Sequence, residues 1–103
     1  LTNIDLLPFL YEAIKKKQVL AVCYKPHIGE KMLFTLSPHY LKEFNGRWFL
    51  FGHVSETLCW RSHMALDRIV GRPEMKLHAV YVEAPTHYYE NYFKNIVGIT
   101  LLE

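Results

Sequence analysis

The chain has 103 residues with a formal charge of +2 and a pI near 8.6. Half of its residues are apolar and 15% are aromatic, which excludes wholesale disorder and suits one small domain with a compact core. The charge is too mild to name a nucleic-acid binder by itself, and no apolar run approaches a membrane span or a signal peptide.

Residues 4–17 predict a helix, with Asp5 as its cap, Pro8 in the first turn and Leu7, Leu10, Tyr11 and Ile14 as an apolar stripe. Lys15, Lys16 and Lys17 read as its solvated last turn. "VLAVCY" at 19–24 predicts a strand buried on both faces. A turn at Pro26 and Gly29 leads to a second strand over 31–37, where Pro38 marks a bend or an edge.

Asn45-Gly46 then predicts a type I′ hairpin between 39–44 and 47–54. A two-residue loop fixes the register as Phe44 opposite Arg47, through Tyr40 opposite Phe51, to His39 opposite Gly52. One face carries Leu41, Trp48 and Leu50 and is expected to line the interior. The other carries Tyr40, Phe44, Phe49 and Phe51, and is expected to pack on the first helix or on a neighbouring subunit. Gly52 leaves space beside His39, for a ligand or for a β-bulge, and the bulge is the safer expectation. Residues 57–66 predict a further strand, with Leu58, Trp60, Met64 and Leu66 on one face. Gly71, Arg72 and Pro73 break the chain, and 75–82 predicts a fifth strand. Thr86 is placed to cap a short helix through "YYENYFK".

These elements describe a mainly β protein with an N-terminal helix, a small five-stranded barrel-like sheet and a short C-terminal helix. Residues 1–84 form the expected barrel unit. Residues 85–103 form the C-terminal helix and the start of a following segment. The missing initiator methionine and the apolar ending "IVGITLLE" suggest a piece of a longer protein. Cys23 and Cys59 lie in apolar runs and are expected to be reduced, buried thiols in a cytoplasmic setting. The six histidines lack zinc-ligand spacing and there is no Gly-rich phosphate loop, so neither a metal, a cofactor nor catalysis is expected.

"RWFL" at 47–50, preceded by Pro38 and "HYL" and followed by "ALDRI" at 65–69, resembles the WYL domain. That family is named for a Trp-Tyr-Leu run, matched here by Trp48, Phe49 and Leu50. "YEAIKKKQVLAVCY" resembles the family's first helix and strand, and "YFKNIVGIT" the segment after the barrel. The resemblance implies an Sm-like, SH3-type barrel that senses a ligand in a bacterial transcription regulator. It also implies a DNA-binding domain upstream in the same chain, and a single-stranded nucleic acid or a nucleotide as effector. Arg68 matches the arginine of the family's "DRI" ending, Tyr24 the tyrosine ending the first strand, and His39 a polar position after the proline. Six residues before Arg68, where many members hold arginine or asparagine, this chain has Ser62, with Arg61 beside it. Arg68, Arg61 or Arg47 beside Tyr24, Tyr40 or His39 would bind phosphate through a planar fork of donors and stack bases on rings. For each there is a plainer role: an ion pair of Arg68 with Asp67 or Glu43, a solvated charge for Arg47, a structural place for Tyr24 and His39. The alternative to sensing is an inert Sm-like interaction domain, a homodimer through the aromatic hairpin face.

Overall fold

A computed structural model describes residues 3–56 and 59–94, apart from the side chains of 59–62. The chain opens with a 3-10 turn at Ile4–Leu6 that runs into helix α1, Leu7–Lys15. Five strands follow: β1 (Leu20–Tyr24), β2 (Met32–Phe44), β3 (Arg47–Val54), β4 (Cys59–Ala65) and β5 (Glu74–Met75). A 3-10 turn at Leu66–Arg68 separates β4 from β5, and helix α2, Tyr88–Lys94, comes last. The strands form one antiparallel sheet in the order β4-β3-β2-β1-β5. Among the described residues no helix is long and apolar enough to cross a membrane.

α1 ends as the lysine triplet suggested, but by a specific device. Lys17 takes φ +55°, Gln18 N–H donates to Ala13 O, and Lys17 N–H to Ile14 O. This 6→1 and 5→2 pattern is a Schellman cap, here with lysine in the left-handed position that usually holds glycine. Asp5 does not cap the helix. Asn3 precedes the first turn, and its side-chain amide donates to Leu66 O and Ile69 O instead. The buried stripe is Leu6, Leu10 and Ala13, while Tyr11 faces outward.

β2 is one strand of 13 residues, and the bend or edge expected at Pro38 falls at a bulge within it. β1 pairs only with Met32–Leu36, so Pro38 lies where β2 has lost that neighbour and its missing N–H leaves no ladder bond unmade. The Asn-Gly turn holds, with φ +51° at Asn45 and +81° at Gly46, both required by type I′. The expected register holds from Phe44–Arg47 to Tyr40–Phe51. It then slips: Gly52 pairs with Pro38, and His39 is the extra residue of a bulge.

Leu41 and Trp48 pack against the main core, in which Leu50 is fully buried with Leu10, Leu20, Val22 and Leu36. α1 belongs to this core. The aromatic face is covered from elsewhere: Tyr40, Phe44, Phe49 and Phe51 pack with Tyr89, Tyr92 and Phe93 of α2. The expectation that α1 or a second subunit covers that face is therefore corrected. α2 carries the aromatic surplus that α1 lacks.

Two other expectations change. β5 is only two residues long, because past Lys76 the chain leaves the sheet edge in a turn and crosses to β2. There Val82 N–H donates to Ser37 Oγ and Tyr81 OH to Pro38 O. β1 is buried on one face only: Leu20, Val22 and Tyr24 point in, and Ala21 and Cys23 are partly exposed. Cys23 is a free thiol, half-buried rather than buried. The side chain of Cys59 lies outside the described residues.

Candidate functional site

The rim beyond the end of β1 gathers the cationic groups. Lys25 N–H donates to Arg68 O, which sets the start of the β1–β2 loop beside the 3-10 turn at Leu66–Arg68. From that turn the Arg68 guanidinium donates to His27 Nδ1 at 3.3 Å, in an exposed contact between two segments 41 residues apart. Lys25 and Lys31 in the same loop are exposed as well, against a single acid, Glu30.

Asp67 feels the charge of Arg68, but it is Arg47 that makes the fork with it. Arg47 takes both of its carboxylate oxygens, Nε to Oδ2 at 2.8 Å and Nη2 to Oδ1 at 2.7 Å. That fork, rather than open water, is the place of Arg47, whose guanidinium also sits 5.4 Å from the centre of the Phe49 ring. The Arg47 hydrogen bond holds Asp67 below the ordinary carboxylate range. Glu43, the other carboxylate considered for Arg68, accepts from Gly46 N–H in the turn.

Tyr24 lies inside. It is 5% exposed, and its hydroxyl accepts from Ala65 N–H at 2.9 Å. β4 is not strand-paired with β1, so this phenol ties the far strand to β1 across the interior. His39 serves a third place. In the bulge, its Nε2–H donates to Val82 O at 2.7 Å and its Nδ1 accepts from Tyr89 OH at 2.9 Å. It thus clasps the C-terminal arm and α2 to β2. Tyr24, His39, Arg47 and Arg68 engage different partners, and only Arg47 and Arg68 meet, through Asp67. The side chain of Arg61, and that of Ser62 at the family position, lie outside the described residues.

The space that Gly52 was expected to leave for a ligand is filled. A Cβ there would stand 2.3 Å from Ser37 O and 2.8 Å from Leu36 Cδ1. The glycine lets the β2 backbone come close at the bulge, the plainer of the two expected roles.

The groups facing His39 are His53, Glu83, Tyr81 and Tyr89. Burial lowers the His39 pKa, the hydrogen bond to Val82 opposes this, His53 adds to it, and Glu83 opposes it. Burial also pushes Tyr81 up to about 12. A histidine with a lowered folded-state pKa binds its proton more readily once unfolded. Its stabilising effect is complete above the unfolded value of about 6.5 and falls away as the pH drops below it. Wild type is expected to lose thermal stability between pH 7.5 and 5.5 more steeply than His39→Gln, whose amide also donates and accepts without titrating. Melting curves at both pH values check this, and equal slopes would refute it.

A family model for the WYL domain matches residues 5–72. The chain belongs to the WYL domain family. The match runs from α1 to just beyond Arg68, and so takes in the whole rim described above. Membership carries the coarse function of the family, a regulator-associated ligand-sensing domain. Among solved structures, this WYL domain is similar to proteasome accessory factor B/C (PafBC) of Arthrobacter aurescens, with a TM-score of 0.66 and 18% identity. That alignment covers 76% of this chain and 12% of the PafBC chain, and it shows a shared fold. No curated protein matches the sequence. Asp67, absent from the expected site, is the residue missed. Its only signal was its place beside Arg68 in "LDR", where it was read as a pair for Arg68 and not as the fork of Arg47.

Proposed function

We propose that this WYL domain is the sensing module of a bacterial transcription regulator, working with a DNA-binding domain in the same chain. Its effector is a single-stranded nucleic acid or a nucleotide, held through phosphate at the Arg68 rim, and its role is binding rather than catalysis. The observation that carries the reading is the exposed contact of Arg68 with His27, in a loop that also presents Lys25 and Lys31. A guanidinium fork fits phosphate oxygens and keeps its charge at all physiological pH. Arg47 has a supporting part. Its fork to Asp67 fastens the turn that carries Arg68 against the start of β3.

A fluorescent single-stranded oligonucleotide titrated at low and moderate salt tests this. Arg68→Ala should weaken binding about tenfold, the worth of one charge-assisted contact, and affinity should fall as salt rises. Arg47→Ala should also weaken binding, by loosening the turn that carries Arg68. A protein that binds no oligonucleotide or nucleotide at any salt, or Arg68→Ala binding like wild type, would end the reading.

A further inference from the structure

The rim alone would hold any phosphate. Beside it lies a second surface that the reading above does not use. The outward residues of β1 are Ala21 and Cys23, since Leu20, Val22 and Tyr24 are buried. Cys23 stands opposite Leu33 of β2, which is 68% exposed. On its other side Val70 N–H donates to Cys23 O, and Tyr24 bridges Ile69, so Val70 is the third member of the same row; it is 40% exposed. Leu33, Cys23 and Val70 thus form an apolar row across three adjacent chain segments, about 10 Å wide at the usual strand spacing.

The next row toward the rim is Lys25 opposite Arg68, with His27 on the guanidinium. The next row away is polar: Thr35 opposite Ala21, with Glu74 beyond, and Lys76 Nζ donating to Thr35 Oγ1. One side of the apolar row is therefore cationic and the other closed by polar groups. The occupant that suits two such parallel rows carries an anion and a flat apolar group side by side on the same unit. A nucleotide does this. An extended acidic peptide matches them only where an acidic and an apolar side chain stand two residues apart, on one face of its strand.

We propose that the Leu33–Cys23–Val70 row seats a base of the effector while the Arg68 rim holds its phosphate. The inference rests on the proposed function and deepens it: the effector is read as base plus phosphate, not as phosphate alone. The contact is apolar rather than hydrogen-bonded, so the row takes bases with little preference among them. Cys23 lies under the base and reports its presence.

The experiment compares oligothymidylate with an abasic deoxyribose-phosphate oligomer of equal length, on the whole protein, using wild type, Leu33→Ser and Arg68→Ala. Leu33 is exposed, so its replacement leaves the fold intact, which a melting curve confirms. Wild type should bind the base-bearing oligomer about tenfold more tightly, within the range that contact with one base supplies. Leu33→Ser should reduce that preference to about twofold with no change toward the abasic oligomer. Arg68→Ala should weaken both oligomers alike. Alkylation of Cys23 by iodoacetamide, followed by peptide mass mapping to separate it from Cys59, should be slowed severalfold by oligothymidylate and not by the abasic oligomer. Equal binding of the two oligomers, with Cys23 unprotected, overturns the base seat; loss of both on Arg68→Ala would then leave the phosphate reading standing. Binding of neither oligomer overturns both. Protection of Cys23 by an acidic-apolar peptide but by neither oligomer overturns both and assigns the surface to a protein partner.

Discussion

Gly52→Ala is expected to destabilise the protein by about 3 kcal/mol or more, a large part of the stability of a domain this size. The added Cβ would meet Ser37 O at 2.3 Å, Leu36 Cδ1 at 2.8 Å and the Pro38 Cα at 3.1 Å. Two of these three atoms are backbone, so no side-chain rotation relieves the clash, and β2 must move away from β3 at the bulge. The melting temperature should fall by roughly 12–24 °C, taking 4–8 °C for each kcal/mol in a domain of about 100 residues. Gly46→Ala is the comparison. Its φ of +81° strains an alanine, but nothing lies within 4 Å of the added carbon, and the expected cost is about 1 kcal/mol. Denaturant titration of both variants decides the matter. If Gly52→Ala costs no more than Gly46→Ala, the close approach of β2 to β3 is not what requires glycine.

Phe51→Ala is expected to cost about 3–5 kcal/mol, the usual range for deleting a buried phenylalanine. Its ring is fully buried and meets Phe93, Tyr89 and Tyr92 of α2 at centroid distances of 5.2, 6.0 and 6.3 Å, all edge to face. It is the anchor by which α2 covers the sheet, so its loss should free the helix before the rest unfolds. Limited proteolysis should then cut around Tyr88–Lys94 faster than in wild type, at temperatures where the far-UV circular dichroism of the sheet is unchanged. Tyr11→Ala, on the exposed side of α1, is the control and should leave both readouts unmoved. A Phe51→Ala protein with wild-type proteolysis would show that the contacts of α2 with Tyr40, Phe44 and His39 suffice to hold it.

The hairpin was legible in the sequence because its determinants are local. Asn45-Gly46 specifies the turn, and the turn counts the pairs outward until the bulge at His39 resets the count. Which apolar face meets which helix was not legible. Leu7, Leu10 and Ile14 in one helix and Tyr89, Tyr92 and Phe93 in another both offer a stripe, and spacing carries no information about the partner. The stretch 75–82 alternates well enough for a strand, but a strand needs an edge to pair with, and the edge of β1 is already occupied by residues 68–76.

At the site, the parity of β1 already tells that Tyr24 shares the buried face with Val22 and Leu20, so its inward phenol was readable from alternation alone. The Arg47–Asp67 fork was not, since it joins residues 20 apart and depends on how the hairpin folds over the 3-10 turn. Arg68 was found by its place in "ALDRI", a resemblance of order and spacing, and its contact with His27 depends on a turn and a loop that no local pattern links.

Asn3 gives the Arg68 rim a reach beyond its own contacts. Its amide grips Leu66 O at 2.9 Å and Ile69 O at 2.8 Å, so it spans both ends of the turn that carries Asp67 and Arg68. If the proposed anion settling on the guanidinium shifts that turn, the two hydrogen bonds couple the shift to residue 3, and a pull on residue 3 to the guanidinium. Thermodynamic linkage makes the two effects equal in free energy. Residue 3 would then be a lever on the proposed anion site, with its fulcrum at two carbonyl oxygens.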